Sequence, residues 1–185
     1  MYGEKMTGVT VWLTGLPSSG KTTIAHEVAA RLAERGTRSQ ILDGDELREQ
    51  LCADLGFSRV DRETNVRRVG FVAELLARNG ITALVPVIAP YAGSREEVRA
   101  HHLRAGTSYL EAFVDTPLDV CAGRDVKGLY ARQRAGEIRG LTGVDDPYEP
   151  PEAPDIHVVT VGRTVAESAG EILAALDRRF AMVAG

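Results

Sequence analysis

A glycine-rich segment near the start of the chain has the residue types and spacing that hold phosphate groups. Residues 15–22 read Gly-Leu-Pro-Ser-Ser-Gly-Lys-Thr, a full match to GxxxxGK[ST] directly after a predicted strand. Gly15 and Gly20 let backbone N–H groups wrap around phosphate oxygens, and the following helix adds partial positive charge. We expect Lys21 to reach the β and γ phosphates and the Thr22 hydroxyl to bind Mg²⁺. A glycine-rich turn without a ligand is the alternative, which the agreement of strand, loop and helix disfavours.

Two aspartates follow the second predicted strand, at the edge where parallel strands gather ligands. Asp43 and Asp45 flank Gly44 there, and with Lys21 they form the predicted catalytic set. One carboxylate, assigned here to Asp43, can orient Mg²⁺ through water, while the other accepts the proton of an acceptor hydroxyl or holds that hydroxyl in line. Which of the two lies closer to the reacting hydroxyl stays open. An Asp-Gly turn followed by a helix cap would explain the same residues without catalysis.

Cationic and amide side chains further along the chain can clamp an anion. Arg48 lies one helical turn after Asp45, and Arg62 and Asn65 share a helix face at i, i+3 spacing. Planar guanidinium groups suit the oxygens of phosphate and sulfate, although a single arginine is more often a solvated surface charge. The phosphate loop alone does not separate a kinase from a GTPase, an ATPase or a nucleotide sensor. The aspartates and the anion clamp favour phosphate transfer to a second, anionic molecule.

The elements that must position these residues alternate between β-rich runs and helical patterns, as in repeated βαβ units around a parallel sheet. The predicted strands are residues 9–14, 39–42, 82–88, 109–114 and 157–161. Residues 24, 28 and 32 form one apolar face of the helix after the phosphate loop, and residues 61–79 form another helix. We therefore predict an α/β fold, with a five-stranded parallel sheet flanked by helices, in a single domain over residues 1–185.

Capping-box spacing predicts two further helix starts, one at Ser94 with Glu97 and one at Thr164 with Glu167. The predicted buried stripe of the closing helix contains Val165, Ala169, Ile172 and Leu176. Residues 124–154 are the least regular segment, and they are too long for an idle connection in a compact domain. Within this segment, residues 124–139 carry five basic side chains against two acidic ones. This local excess of positive charge predicts an active-site lid that offsets the charges of two nucleotides, with a solvated basic helix as the alternative.

The composition of the chain argues against several classes of binding partner. The formal net charge of −4 argues against broad binding to nucleic acid. No apolar run reaches the ~20 residues of a membrane-spanning helix, and the first residues lack the apolar core of a secretory signal. Cys52 and Cys121 lack CxxC spacing, so neither a disulfide framework nor a zinc site is predicted. We expect a cytoplasmic protein that acts on a small molecule, with no nucleic acid and no membrane as partner.

Several longer strings resemble the adenylylsulfate kinase family, in the same order and spacing. They are residues 15–23, the Asp-Gly-Asp triplet with Arg48, Asp-Leu-Gly-Phe-Ser at 54–58, residues 61–68, Arg-Asp-Val-Lys-Gly-Leu-Tyr at 124–130, and Thr-Gly-Val-Asp-Asp-Pro-Tyr-Glu-Pro-Pro at 142–151. The resemblance covers nearly the whole chain and implies a single-domain P-loop NTPase/kinase fold. It implies that Mg²⁺ and ATP serve to phosphorylate the 3′-hydroxyl of adenosine 5′-phosphosulfate (APS), commonly in a homodimer.

The resemblance also implies residue roles. Residues matching Arg48, Arg62 and Asn65 hold the phosphosulfate or ribose of the acceptor, the residue matching Phe57 stacks on its adenine, and Lys127 contacts acceptor or phosphates when the lid closes. Phe57 as a plain core residue is the alternative. The implied ATP-binding set is Gly15, Pro17, Ser18, Ser19, Gly20, Lys21, Thr22, Thr23 and Arg124. The implied acceptor set is Asp45, Arg48, Phe57, Arg62, Asn65, Ile88, Ala89, Lys127 and Leu141.

Two positions depart from the family pattern. Ala89 stands where the family usually has a serine that is often described as a phosphorylated intermediate. Because alanine has no hydroxyl, we expect direct in-line transfer from ATP. Leu141 stands where a phenylalanine commonly covers the acceptor adenine, so aromatic stacking is lost there. These departures leave open a related P-loop kinase with another nucleotide or hydroxylated metabolite as acceptor, and a nucleotide-binding subunit without transfer is the third alternative.

Overall fold

The first strand is buried on both faces, as expected for a central strand of a parallel sheet. In the computed structural model, which describes residues 8–183, alternate side chains of this strand point to opposite sides. Val9, Val11 and Leu13 pack in one apolar core, while Trp12 packs in a second core on the other face. The sheet therefore separates two layers of helices, each with its own core.

All neighbouring strands in the sheet are parallel, in the order β2-β3-β1-β4-β5. The strands are β1 Val9–Thr14, β2 Ser39–Ile41, β3 Thr82–Pro86, β4 Ser108–Asp115 and β5 Ile156–Val159. The prediction of five parallel strands is confirmed, although β2 and β3 end before residues 42 and 87–88. The strand order reverses at β1, which has β3 on one side and β4 on the other. The loops that follow these strands therefore diverge, and a crevice opens at the carboxyl ends of the strands.

Helices cover both faces of the sheet. They are α1 Lys21–Glu34, α2 Gly44–Gln50, α3 Arg59–Arg78, α4 Ala92–Arg104, α5 Leu118–Arg124, α6 Leu129–Arg134 and α7 Val165–Val183. Helices α1 and α7 supply the core on one face, and α3 and α4 supply the core on the other. Among these residues, no helix has both the length and the apolar character that crossing a membrane requires. The predicted stripe of α7 is confirmed at three positions but wrong at Val165, which lies in the first turn and is 41% exposed.

The two predicted capping boxes have different outcomes. At α7 the box is confirmed, since the Glu167 N–H donates to Thr164 Oγ1 and the Thr164 N–H donates to Glu167 Oε2. At α4 the prediction is wrong, because the helix begins at Ala92 and Ser94 is buried inside its first turn. The carboxylate of Glu149 accepts the Ala92 N–H at 2.7 Å, so a residue distant in sequence replaces the local cap.

The segment predicted to be a lid, residues 124–154, is partly helical. It contains the end of α5 and all of α6. The Asp125 carboxylate accepts the backbone N–H groups of Tyr130 and Ala131, which anchors the start of α6. The Tyr130 side chain is buried and donates to the Pro17 carbonyl at 3.0 Å, so the segment rests directly on the phosphate loop.

Candidate active site

The phosphate loop joins β1 to α1 and is held in a tight curve. Gly20 occupies the N-cap of α1 at φ 103°, a conformation that side-chain-bearing residues rarely adopt. A Cβ on Gly15 would lie 2.6 Å from the carbonyl oxygen of Val114, so only glycine fits beside the neighbouring strand. The buried Lys21 ammonium donates to the carbonyls of Gly15 and Leu16 at 2.9 and 2.7 Å. The backbone of the loop therefore curves around the Lys21 ammonium and binds it through two carbonyl groups.

Burial governs the charge of this lysine. Desolvation lowers the pKa of Lys21 to about 7, the nearby Cys121 opposes that shift, and the positive charge of Lys127 adds to it. A polyphosphate in the loop would favour the charged form, because an opposite charge at short range stabilises the ammonium. Charge on Lys21 is thus coupled to the presence of phosphate.

Asp43 serves as a helix cap and also faces the phosphate loop. Its Oδ1 accepts the Asp45 N–H at 2.9 Å, and its Oδ2 lies 3.5 Å from the Thr22 hydroxyl. The alternative of a turn at residues 43–44 followed by a helix cap is wrong in its placement, because Asp43 itself caps α2. The cap does not exclude a metal role, since the second carboxylate oxygen of Asp43 faces Thr22. A hydroxyl and a carboxylate oxygen on an open wall are ligands that suit Mg²⁺, which keeps several waters in its shell. The residues present fit this ion.

Asp45 projects from the first turn of α2 toward the segment that was predicted as a lid. Its carboxylate forms an ion pair with the Lys127 ammonium. Both side chains are more than half exposed, so the pair is solvated and weak enough to exchange partners. Lys127 therefore reaches the same carboxylate that the sequence predicts as the acceptor-side aspartate.

An aromatic ring with cationic side chains on it forms the far end of the site. Phe57 is 67% exposed, so the plain-core alternative is wrong for this residue. The Arg48 guanidinium lies 4.4 Å from the ring centroid and that of Arg62 lies 5.8 Å from it. Burial, followed by the charge of Arg62, lowers the pKa of Arg48. Asn65 lines the same space, and its buried Oδ1 has no hydrogen-bond partner within the described residues.

Backbone carbonyls hold both arginines in place. Arg48 Nη1 donates to the Gly56 carbonyl at 2.8 Å, and Arg62 Nη2 donates to the Gly140 carbonyl at 2.6 Å. Arg62 also donates to the Thr142 hydroxyl, which ties α3 to the 140–146 turn. Two guanidinium groups fixed around one exposed ring form a preorganised site for an anionic aromatic molecule.

A single cavity of about 620 Å³ joins the phosphate loop to this ring. It gathers almost the whole predicted site: Pro17, Ser18, Ser19, Gly20, Lys21, Thr22, Thr23, Asp43, Asp45, Arg48, Phe57, Arg62, Asn65, Ile88, Ala89, Arg124 and Lys127. The volume falls within the range of small-molecule sites in proteins. Both predicted binding regions and the two aspartates therefore open into the same space.

Known proteins match this chain over most of its length. A family model described as adenylylsulphate kinase matches residues 7–159. The chain belongs to this family. It is 51% identical to the adenylyl-sulfate kinase of Rippkaea orientalis over 175 residues, which cover 94% of this chain and 93% of that protein. It is 52% identical to the adenylyl-sulfate kinase of Chloroflexus aurantiacus over 171 residues, which cover 92% of this chain and 90% of that protein.

A solved structure of the adenylylsulfate kinase family agrees with the fold. The Mycobacterium tuberculosis APS kinase in complex with AMPPNP and APS superposes with a TM-score of 0.90 and is 48% identical, over 92% of this chain and 98% of that one. The predicted resemblance to adenylylsulfate kinases and the predicted P-loop kinase fold are both confirmed.

Two residues of the predicted set do not line the cavity of this adenylylsulfate kinase. Gly15 acts through its backbone, because its carbonyl accepts from Lys21 while its missing side chain makes room for β4. Leu141 is buried with Cys121 and Tyr130 rather than placed against the acceptor end. The Asp145 carboxylate accepts the Leu141 N–H at 2.7 Å, and the resulting tight turn directs the leucine into that cluster.

Sequence reasoning missed a group of residues after β5 that line the cavity beside the phosphate loop. They are Thr160, Arg163, Val165 and Ser168. Hydrogen bonds of the Thr116 hydroxyl join this group to the loop, at 2.6 Å to Thr160 Oγ1 and 2.9 Å to the Ser19 carbonyl. A signal for this group was present in the sequence, because Thr160 lies at the carboxyl end of a predicted strand and the other three residues follow it, where ligands gather.

Proposed function

We propose that this chain transfers the γ-phosphate of ATP to the 3′-hydroxyl of APS, giving 3′-phosphoadenosine 5′-phosphosulfate and ADP. One observation carries the proposal: the phosphate loop, the ring of Phe57 with its two arginines, and Asp45 all line one cavity. Two nucleotides facing each other in this space would meet at their phosphate and ribose groups, as in-line transfer requires.

The donor end is built for a polyphosphate. Backbone N–H groups of the loop and the first turn of α1 supply partial positive charge, and Lys21 adds a full charge. Thr22 and Asp43 would hold Mg²⁺. When bound, this ion neutralises charge that builds up on the transferred group. The guanidinium of Arg124, which donates to the Ser19 carbonyl at 3.2 Å, places a further cation beside the donor.

The acceptor end supplies orientation and a proton acceptor. Arg48, Arg62 and the Asn65 amide, whose Oδ1 has no hydrogen-bond partner among residues 8–183, are proposed to hold the phosphosulfate and ribose, with the Phe57 face on the adenine. Asp45 exchanges Lys127 for the acceptor hydroxyl and accepts its proton as the oxygen–phosphorus bond forms and the bond to the β-phosphate oxygen breaks. Ala89 leaves no hydroxyl for a phosphoserine at that position, so the transfer is direct.

The test is ADP release measured with and without APS and Mg²⁺. We expect turnover to need both, and Asp45→Asn to lower kcat by about 100-fold or more, the usual contribution of a positioned acid or base. Glu46→Gln, which changes the next residue of α2 outside the cavity, is the matched control and should keep wild-type turnover. Full activity of Asp45→Asn would remove its proposed role.

A related acceptor is the second candidate, because Leu141 packs away from the cavity and leaves the acceptor end without a second aromatic face. A panel of nucleotides and hydroxylated metabolites, assayed for ADP release, separates the two. Stronger stimulation by another member of the panel than by APS would establish the second candidate. ATP binding without turnover on any acceptor would instead establish the third alternative, a non-enzymatic nucleotide-binding subunit.

We further propose a single domain over residues 1–185 with residues 124–154 as its lid, a homodimer, and a cytoplasmic location. The exposed Phe71 ring on α3, 6.2 Å from the His101 ring on α4, offers an apolar surface for a second copy.

The cytoplasmic location is proposed because the reaction needs ATP. Light scattering that gives the mass of one chain would contradict the dimer, and fractionation with exported proteins would contradict the location.

A further inference from the structure

A buried arginine lies behind the wall of the cavity and is absent from its lining. Arg95, on α4, is 3% exposed and uses all three of its guanidinium nitrogens as donors. Nε donates to the Glu111 carboxylate at 2.8 Å, Nη1 to the Ala89 carbonyl at 2.8 Å, and Nη2 to the Glu149 carbonyl at 2.7 Å. The guanidinium therefore joins β4 to two loops that approach the acceptor end.

The first of these loops, residues 88–90, forms part of the cavity wall in a backbone conformation that needs support. Ala89 has φ 44°, in the left-handed region that residues other than glycine seldom adopt. Such a conformation persists only where the surroundings enforce it. The Thr14 hydroxyl donates to the Ile88 carbonyl at 2.6 Å, and Arg95 donates to the Ala89 carbonyl at 2.8 Å. Two buried donors thus fix the turn that carries Ile88 and Ala89.

The second loop is the end of the predicted lid. The Glu149 N–H donates to the Pro90 carbonyl at 2.8 Å, and its carboxylate caps α4 through the Ala92 N–H. The neighbouring Tyr148 hydroxyl lies 3.0 Å from Thr14 Oγ1. The anchored end of residues 124–154 is therefore attached to the wall at residues 88–90, and Arg95 lies at that junction.

Charge neutralisation alone does not explain this arginine. Glu111 is also within 3.6 Å of the Arg99 guanidinium, which in turn pairs with Asp155 at 2.8 Å. Arg99 would still compensate Glu111 if Arg95 were lost. What Arg99 lacks is any bond to the Ala89 or Glu149 carbonyl. The two carbonyl bonds distinguish Arg95 from its neighbour.

We propose that Arg95 is a positioning residue for the acceptor site. Its planar fork holds the Ala89 and Glu149 carbonyls at once and so sets the wall of Ile88 and Ala89 against the acceptor. This inference rests on the proposed function, since it assigns that wall to the acceptor rather than to ATP. A lysine can replace the charge beside Glu111, but its single ammonium cannot reproduce three divergent bonds at the guanidinium geometry.

The test compares Arg95→Lys and Arg95→Gln with Arg99→Gln as the matched control. Under saturating ATP, we expect Arg95→Lys to raise the KM for APS about tenfold, the equivalent of about 1.4 kcal/mol of lost binding, because the wall of Ile88 and Ala89 is no longer held against the acceptor. Its KM for ATP should stay within about twofold of wild type, since the phosphate loop is untouched. Arg99→Gln should lower the unfolding midpoint without changing the KM for APS.

Each outcome decides between positioning and general support of the fold. An unchanged KM for APS in Arg95→Lys, or an equal rise in both KM values, would overturn the inference. If Arg95→Gln does not fold, Arg95→Lys still decides, because it keeps a positive charge beside Glu111. Wild-type protein that forms no ADP with APS would reject the proposed function instead, so the two failures are distinguishable.

Discussion

Nucleotide binding should take up a proton at Lys21, because burial lowers the pKa of this lysine toward neutrality when no phosphate is bound. Burial lowers its pKa to about 7, and a bound polyphosphate favours the ammonium and raises that pKa again. At pH 8 the free protein carries the neutral amine in about nine molecules of ten, so binding should take up about 0.9 proton. The sign follows directly, since the charged form is the one that phosphate stabilises.

The same shift sets how affinity changes with pH. Above pH 7 the competent ammonium form becomes scarcer by about tenfold per pH unit, so the Kd for ATP should rise roughly fiftyfold between pH 7 and pH 9. Below pH 7 the lysine is already charged in the free protein, and the dependence should level off. Affinity is therefore lost as pH rises through about 7 and not as pH falls.

Isothermal titration calorimetry measures the proton directly. A non-hydrolysable ATP analogue with Mg²⁺ is titrated at pH 8 in buffers of different ionisation enthalpy, and the slope of binding enthalpy against that enthalpy gives the protons taken up. Lys21→Gln, which has no titrating group at this position, should bind more weakly and give a slope near zero. A slope near zero for wild type, or equal slopes for both proteins, would refute the assigned pKa.

Three further substitutions test packing and acceptor recognition. Gly70→Ala should destabilise the protein by about 1 to 3 kcal/mol in urea unfolding, because its Cβ would lie 2.7 Å from a Val98 methyl between α3 and α4. Gly170→Ala in α7, where a Cβ meets nothing within 4 Å, should instead stabilise by about 0.5 to 1 kcal/mol, and destabilisation of both variants alike would contradict this difference. Phe57→Ala should raise the KM for APS by roughly 5-fold to 150-fold, the equivalent of about 1 to 3 kcal/mol for a stacked base. Because Phe57 is largely exposed, its unfolding midpoint should change little, and a large fall would indicate a structural role.

Local patterns predicted the donor end well because their physics is local. The phosphate loop needs only glycines at two positions, a lysine and the start of a helix, all within residues 15–22. The capping box of Thr164 and Glu167 formed as predicted, since both partners lie within one turn. Strand alternation with helical periodicity likewise sufficed for a parallel sheet, because burial on both faces leaves a strand few other arrangements.

The predictions failed where distant residues compete with local ones. Ser94 has the spacing of a cap, but the Glu149 carboxylate takes that role from 57 residues away along the chain. Leu141 directly precedes a string that resembles the family and was predicted at the acceptor site, yet the Asp145 turn directs its side chain toward Cys121 and Tyr130. Neither the Glu149 cap nor the Asp145 turn has a sequence pattern that predicts it from a few neighbouring residues.

The sequence by itself determined the family, the phosphate loop, the paired aspartates and the alternation of strands and helices along the chain, since each depends on residues close together in the chain. Only the tertiary structure decided that Asp45 meets Lys127, that Thr160 lies beside the phosphate loop, and that Arg95 supports Ala89. Those contacts form because the loops that follow different strands lie close together at one edge of the sheet. Their geometry follows from packing of the whole domain and from no single stretch of residues.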